Sequence, residues 1–281
     1  MDMSPSGSDH EFPSPEPVKR PILLGAAFIG LVCGFIGIFI GLSIGGLREL
    51  RNTSALRADP LGAEVIHPGL QAPGSPVVLL GDSRVNQWLP LPEIAGEPAT
   101  AIGVPGLTAS QLAGALSLNS TRLDGRTIIV QIGINDIKSI GYSDRRQDEI
   151  LESTRDAIAS IHRELAESGA RVLVMTILPP GPVPFSRRFI WTDRINQSVG
   201  VLNDELVEGA IIPSTAVLDV RGLLGDSEGI DPKFANDTLY VNAEAYEALS
   251  GAVVEAVRIG TPEANQSSAG EASSATSSTD G

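Results

Sequence analysis

Cysteine is all but absent from these 281 residues, and the single one, Cys33, lies in the most hydrophobic stretch of the chain. The remainder can therefore hold no disulfide and no thiolate metal site. Histidine is nearly as scarce, with three, and aromatic residues make up only 4%. Positive charge is also in short supply: 20 Lys and Arg face 34 Asp and Glu, for a formal charge of −14. A nucleic-acid surface needs clustered cations, and none occurs, so no nucleic-acid partner is expected. No phosphate-cradling glycine loop, metal-ligand cluster or dinucleotide fingerprint is present either, and no cofactor or metal is expected. What is plentiful is apolar material. At 42% hydrophobic residues the chain has enough for one medium domain plus extensions.

The extensions come first. Residues 1–20 are rich in Pro, Ser and acids, lack apolar periodicity and read as a disordered tail. From Pro21 to Leu47 there is no charged residue, and the run exceeds the roughly 20 residues that a helix needs to cross a bilayer. It reads as a transmembrane signal-anchor, since a cleaved signal peptide has a shorter apolar core and a small-x-small site after it. Gly30, Gly34, Gly37, Gly41 and Gly45 give this helix small-xxx-small spacing, which suits self-association. Lys19 and Arg20 on one side balance Arg48, Arg51 and Arg57 on the other, so positive charge does not orient it. A short tail before the anchor and a large domain after it favour a single-pass protein with the domain outside the cytoplasm. Residues 48–72, punctuated by Pro60, Gly62, Pro68 and Gly69, read as a linker, and the Ser-rich residues 261–281 as a second disordered tail.

Residues 73–260 carry the globular pattern. Apolar, β-branched runs recur at Pro76–Leu80, Thr100–Ile102, Thr127–Ile132, Arg171–Leu178 and Thr215–Leu218, each followed by a helix-compatible stretch. That alternation predicts an α/β fold with a parallel sheet. The clearest helix spans about Ser143 to Gly169, with Ile150, Ala157, Ile158, Ile161 and Leu165 on one stripe and Gly169 as its stop. A second spans Asn242 to Ile259, with Tyr246, Leu249, Val253 and Val257 on one face behind an Asn242 cap. Five strands with crossovers make a three-layer α/β/α sandwich, and the expected flavodoxin-like strand order is 2-1-3-4-5.

Polar groups just past the carboxyl ends of parallel strands occupy the edge where such sheets place their ligands. After the first strand comes Gly81-Asp82-Ser83, after the second Gly103-Val104-Pro105-Gly106, and after the third Gly133-Ile134-Asn135-Asp136. Ser83 is the candidate nucleophile. The amides of Ser83 and Gly103 and the side-chain amide of Asn135 are candidate oxyanion donors, because a tetrahedral oxyanion needs two or three donors in a dry site. The plainer roles of the same residues are a helix cap for Asp82 with Ser83, a turn at Gly103, and capping at Asn135 and Asp136. Taken in order, the blocks resemble the SGNH hydrolases, the GDSL esterases and lipases, over about Ser75 to Ile259. The resemblance implies an acyl hydrolase that acts through Ser83, with an ester or an acylated small molecule or glycan as substrate.

The last block departs from the family's Asp-x-x-His. Asp237 is present, but Tyr240 stands where the general-base histidine belongs. A phenol with a pKa near 10 is a poor acceptor for a serine proton at neutral pH. Of the three histidines, His10 is in the tail, His162 is mid-helix at the edge of an apolar stripe, and His67 is in the expected linker. Asp82 and Asp136 are the remaining weak bases, poorly matched unless burial raises them. Two functions stay open: a hydrolase working slowly or through a substitute base, and a catalytically silent domain that binds an acylated or glycan ligand at the membrane surface. Trp88, Lys138, Phe185, Arg187, Arg188, Phe189 and Trp191 are candidates for the wall of the site. Since Pro21–Leu47 is the only membrane-length run, the full chain is expected in the membrane pellet and a chain beginning near Ser54 in the soluble fraction. Recovery of the intact full chain without membranes, in a fractionation experiment, would refute the anchor.

Overall fold

The computed structural model describes residues 33–34 and 59–259, except 73, 119–120, 143–145, 189–190 and 227–228. The expected tails, and the expected membrane helix apart from Cys33 and Gly34, lie outside the described residues. Among the described residues no helix is long and apolar enough to cross a membrane. The fold is that of the unit Ser54–Gly281.

Its centre is strand β1, Val77–Gly81, in which every residue is buried. Strands β2 (Thr100–Gly103), β3 (Thr127–Gln131), β4 (Arg171–Met175) and β5 (Val217–Leu218) complete one parallel sheet in the order β2-β1-β3-β4-β5. This is the 2-1-3-4-5 order expected from the crossovers. Alternate residues of each strand feed opposite faces, as the two-residue pleat requires. Val78, Leu80, Ile128, Val130, Val172 and Val174 enter one core, and Val77, Leu79, Ile129, Leu173 and Met175 the other.

Helices α1 (Ala63–Gln71), α3 (Ala109–Ser117) and α5 (Gln147–Glu167) cover the first face, and α7 (Ala243–Ile259) the second. Between them come two single turns, α2 (Ser83–Asn86) and α4 (Ile134–Ile137), and helix α6 (Asp193–Val207). The stripe expected on α5 is buried at Ile150, Ala157, Ile158, Ile161 and Leu165, and Gly169 follows the helix at a φ of 91°. Asn242 caps α7, its Oδ1 accepting from the Ala245 amide at 3.0 Å.

Two expectations need correction. Residues 63–71, assigned to the linker, form α1, with Ile66 and Leu70 buried and the Asp59 carboxylate accepting from the amides of Ala63 and Glu64 at 2.9 Å. Pro68 and Gly69 had marked a break. Packing overrides them: a Cβ on Gly69 would stand 2.8 Å from Ile102 Cδ1, so the glycine lets α1 lie close on β2. The fourth strand also stops short of Leu178. Past Met175 the Ile177 backbone pairs with a side chain, its N–H donating to Asn203 Oδ1 at 2.7 Å and its carbonyl accepting from Nδ2 at 2.8 Å. Asn203 thereby sets the departure of the loop that borders the site. Replacing Asn203 by Leu leaves two buried backbone groups unpaired and should cost about 2 to 4 kcal/mol in urea denaturation, whereas a loss under half a kcal/mol would show that the loop finds other partners.

Candidate active site

Three turns meet at the carboxyl edge of β1, β2 and β3, and close backbone contacts bring them together. Gly81 pairs with Gly103 on one side and Gln131 on the other. A Cβ on Gly81 would stand 2.0 Å from the Gln131 carbonyl oxygen, and one on Gly103 2.2 Å from the Asn86 nitrogen. Neither position admits a side chain. The packing of Gly103 is therefore against α2, a structural use of the residue that had been read as an oxyanion donor.

Ser83 opens α2 and is half-buried. Capping falls to Asp82, whose Oδ1 accepts from the Arg84 amide at 2.8 Å, so the serine hydroxyl is not needed for that purpose. Asn135 is buried and reaches across: its Nδ2 donates to the Leu107 carbonyl at 2.8 Å and lies 3.5 Å from Asp82 Oδ2. Gly133 makes this possible. It sits at a φ of 115°, and a Cβ there would be 2.8 Å from Ile177 Cδ1. Leu107 closes a turn on Val104, in which Gly106 takes a φ of 82°. Gly106 thus stands one residue from the carbonyl that Asn135 holds, a second glycine amide that was not among the donors expected from the sequence. Asp136 caps the neighbouring helix, its Oδ2 accepting from the Ala109 amide at 2.8 Å.

Arg84 had drawn no notice in the sequence, yet it joins the first and last blocks. Its guanidinium is buried, with Nε donating to the Leu239 carbonyl at 2.8 Å and Nη1 to the Leu178 carbonyl at 2.9 Å. Nη2 is buried without a partner, as are both side-chain polar atoms of Gln131 at the end of β3. The Tyr246 hydroxyl donates to the Arg84 carbonyl at 2.8 Å, and burial raises its pKa. Burial also lowers the Arg84 pKa, while the neighbouring Asp82, Tyr246, Tyr240 and Asp237 act to raise it.

Through Leu239, Arg84 ties the serine turn to the Asp237–Tyr240 segment. Asp237 Oδ1 accepts from the amides of Leu239 and Tyr240 at 2.7 and 2.9 Å, and its Oδ2 lies 3.9 Å from Arg187 Nη1. The Asn236 amide donates to the Tyr240 carbonyl at 2.9 Å, and the Gly181 amide to Thr238 at 2.9 Å, so the segment's backbone is fixed. Tyr240 is half-buried beside Arg84.

The wall residues divide. Trp88 and Trp191 are buried, Trp88 stacking near Tyr246 at 5.4 Å between ring centroids and Trp191 bonding Asn196. Both belong to the cores, correcting their assignment to the wall. Phe185, Arg187 and Arg188 are exposed, and Phe189 lies outside the described residues. His67 sits midway along α1 with neither ring nitrogen partnered, and His162 is half-buried on α5 with its pKa lowered by burial. Neither is bonded to the serine turn.

Residues 71–248 match the GDSL-like Lipase/Acylhydrolase family. The chain belongs to that family. No curated protein matches it. Among solved structures, one from Streptococcus pneumonia provisionally described as a platelet activating factor superposes with a TM-score of 0.55 at 18% identity, over 75% of this chain and 97% of that one. A GDSL-like lipase from Bacteroides thetaiotaomicron superposes with a TM-score of 0.51 at 17% identity, over 66% of this chain and 88% of that one. At these identities the likeness is one of fold.

The two acids at the site have unusual titration. Burial lifts the Asp82 carboxyl to about 6 against the pull of the Arg84 charge, and lifts Asp136 to about 6 against the Ala109 and Ser110 amides. The folded state therefore holds these protons to higher pH than the unfolded chain does. Their contribution to stability is complete below about pH 4 and is lost as pH rises through about 6. Asp136→Asn fixes the neutral form and keeps an acceptor for Ala109. Its urea midpoint should gain on the wild type as pH climbs from about 4 to 7, and a difference that stays flat over that range would show the carboxyl to be unshifted.

Proposed function

We propose that this protein is a membrane-anchored, GDSL-type acyl hydrolase that acts through Ser83 with low turnover. The observation that carries the reading is the Asn135 side chain, buried and fixed between Leu107 and Asp82 at the turn that bears Ser83. One Nδ2 hydrogen is committed to Leu107, and the other, held to Asp82 Oδ2 only by a long 3.5 Å bond, would turn from that carboxyl to an oxyanion formed on the Ser83 side. The Ser83 amide is the second donor, and the Gly103 or Gly106 amide supplies the third. The charge-free run Pro21–Leu47 supports the anchor, and the glycines within it support pairing of two such helices. The substrate is an ester or acylated compound, a glycan among them, presented at the membrane surface by the domain outside the cytoplasm.

Low turnover follows from Tyr240. Removing the base of a serine triad costs on the order of 10⁶ in rate and leaves about 10³ to 10⁴ over water from binding and the oxyanion hole. A specific contact supports the second reading, in which the domain binds an acyl ligand without turning it over. Asp237, the residue that would orient a base, has Oδ1 taken by two amides and Oδ2 turned toward Arg187.

One substitution separates the two. Tyr240→His should raise hydrolysis of a small activated ester at least a hundredfold over the parent, a gain that needs only about 2.7 kcal/mol of barrier. Ser83→Ala in the same background should abolish it. No gain in a folded Tyr240→His protein, together with no labelling of Ser83 by a fluorophosphonate, would leave the binding reading in its place.

A further inference from the structure

Helix α6 carries a stripe that its packing does not explain. Asn196, Gly200 and Asp204 stand at i, i+4 and i+8 on one face, so Gly200 has a polar residue one turn to either side. Glycine inside a helix weakens it, and the usual reason for keeping one there is a close contact or a left-handed φ. Gly200 has neither: its φ is not positive, and a Cβ there would meet no atom within 4 Å beyond its chain neighbours and the helix's own backbone. Gly222, on the turn after β5, is the same on both counts. Both glycines line a hollow of about 420 Å³, together with Pro179, Pro180, Val199 and Arg221. That volume lies in the range of small-ligand sites. A second hollow, of about 620 Å³, shares Pro180 and Asn196 with the first, so the two adjoin as one groove.

Most polar groups of the first hollow are already engaged. Arg221 donates from Nη1 to Asp204 Oδ1 at 2.6 Å, from Nη2 to Asp219 Oδ2 at 2.9 Å and from Nε to Asp219 Oδ1 at 3.0 Å. The only cation lining the hollow among the described residues is thus consumed by two acids, which leaves nothing to hold an anion. Asn196 Oδ1 accepts from Trp191 Nε1 at 3.0 Å. What remains is a donor at one end of the stripe, Asn196 Nδ2, and an acceptor at the other, Asp204 Oδ2, neither bonded among the described residues. At 1.5 Å of rise per residue the two residues stand about 12 Å apart along the axis, with the open floor of Gly200 between them. The groove also borders the loop that meets the serine turn. Pro179 and Pro180 line it, and they sit between the Leu178 carbonyl, which accepts from Arg84 Nη1 at 2.9 Å, and the Gly181 amide, which donates to the Thr238 carbonyl at 2.9 Å.

We propose that this groove is a second binding site, apart from Ser83, for a neutral oligosaccharide laid along α6 over Gly200. Sugar hydroxyls both donate and accept, so one ligand meets Asn196 Nδ2 and Asp204 Oδ2 together, whereas an acyl chain meets neither. The prolines and Val199 present apolar surface to the C–H faces of the rings. The site needs no activity of Ser83 and stands whether or not that serine turns over.

The test is titration calorimetry of the full chain in a polyoxyethylene detergent, with cellotetraose, xylotetraose and chitotetraose as probes. At least one should bind with a Kd under about 1 mM, and neither Ser83→Ala nor added salt should change it, since the ligand carries no charge. Gly200→Leu fills the floor and should weaken binding about tenfold or more while raising the urea midpoint, because leucine is the better helix former. Asn196→Asp keeps an acceptor for Trp191 and removes the donor, and should also cost about tenfold. Gly251→Leu, at an equally open position on α7, should raise the midpoint and leave binding as it was. Failure of all three sugars to bind, loss of binding in Ser83→Ala, affinity that falls with salt, or parent-like binding by Gly200→Leu would each overturn the proposal. Fluorophosphonate labelling of Ser83 reports on the hydrolase reading separately, and a bound tetrasaccharide on an unlabelled serine sinks that reading alone.

Discussion

The site depends on a buried guanidinium. Taking Arg84 out of water costs several kcal/mol unless its donors are met, and here two are met by the carbonyls of Leu178 and Leu239, with the Asp82 carboxylate close by. Those carbonyls belong to the loop after β4 and to the segment before α7, which are distant in sequence. One side chain thus holds three parts of the chain at a common edge. The same bonds give Asp82 its surroundings: it is fully buried, caps α2, and receives Asn135 at its second oxygen. A smaller residue at 84 would leave two carbonyls unpaired and Asp82 without its counter-charge.

Much of this arrangement was legible in the sequence, and the reasons can be named. The five strands and their order followed from β-branched runs separated by helix-length crossovers, and Val77–Gly81 was recognisable because a strand covered on both faces shows no polar alternation. The α5 stripe and its Gly169 stop obeyed the 3.6-residue period. The misreadings share a cause. Pro68-Gly69 signals a break locally, and only the contact with Ile102 makes α1 worth forming. Trp88 and Trp191 looked like wall residues because nothing local distinguishes a tryptophan that faces a ligand from one whose indole N–H is satisfied inside, by Ser250 in one case and Asn196 in the other. Arg84 escaped notice because its partners are backbone carbonyls, which leave no mark in a sequence. The sequence reading named Gly103 alone as the amide donor, since the turn that brings Gly106 beside it is defined by a φ of 82° and not by composition.

The electrostatics of the edge carry both functional readings. A half-buried serine stands here beside a buried carboxyl, a buried guanidinium and an amide held between Leu107 and Asp82. Asp237 supports the Tyr240 backbone through its amide and faces Arg187. The two proposed readings, slow turnover and binding, draw on this same set of residues and differ in the role they give residue 240.

That position has a property of its own. The backbone of Tyr240 is fixed by Asp237 and Asn236, and the loop beneath it by Gly181 and Thr238, in bonds that involve no atom of the phenol ring. None of those bonds depends on the side chain that residue 240 presents. Any replacement other than proline keeps the backbone donors and acceptors of this segment, so the side chain at the edge can change while the backbone that presents it stays tied. The same independence marks residue 240 as a place where a designed side chain can be installed in a preformed edge without repacking either core.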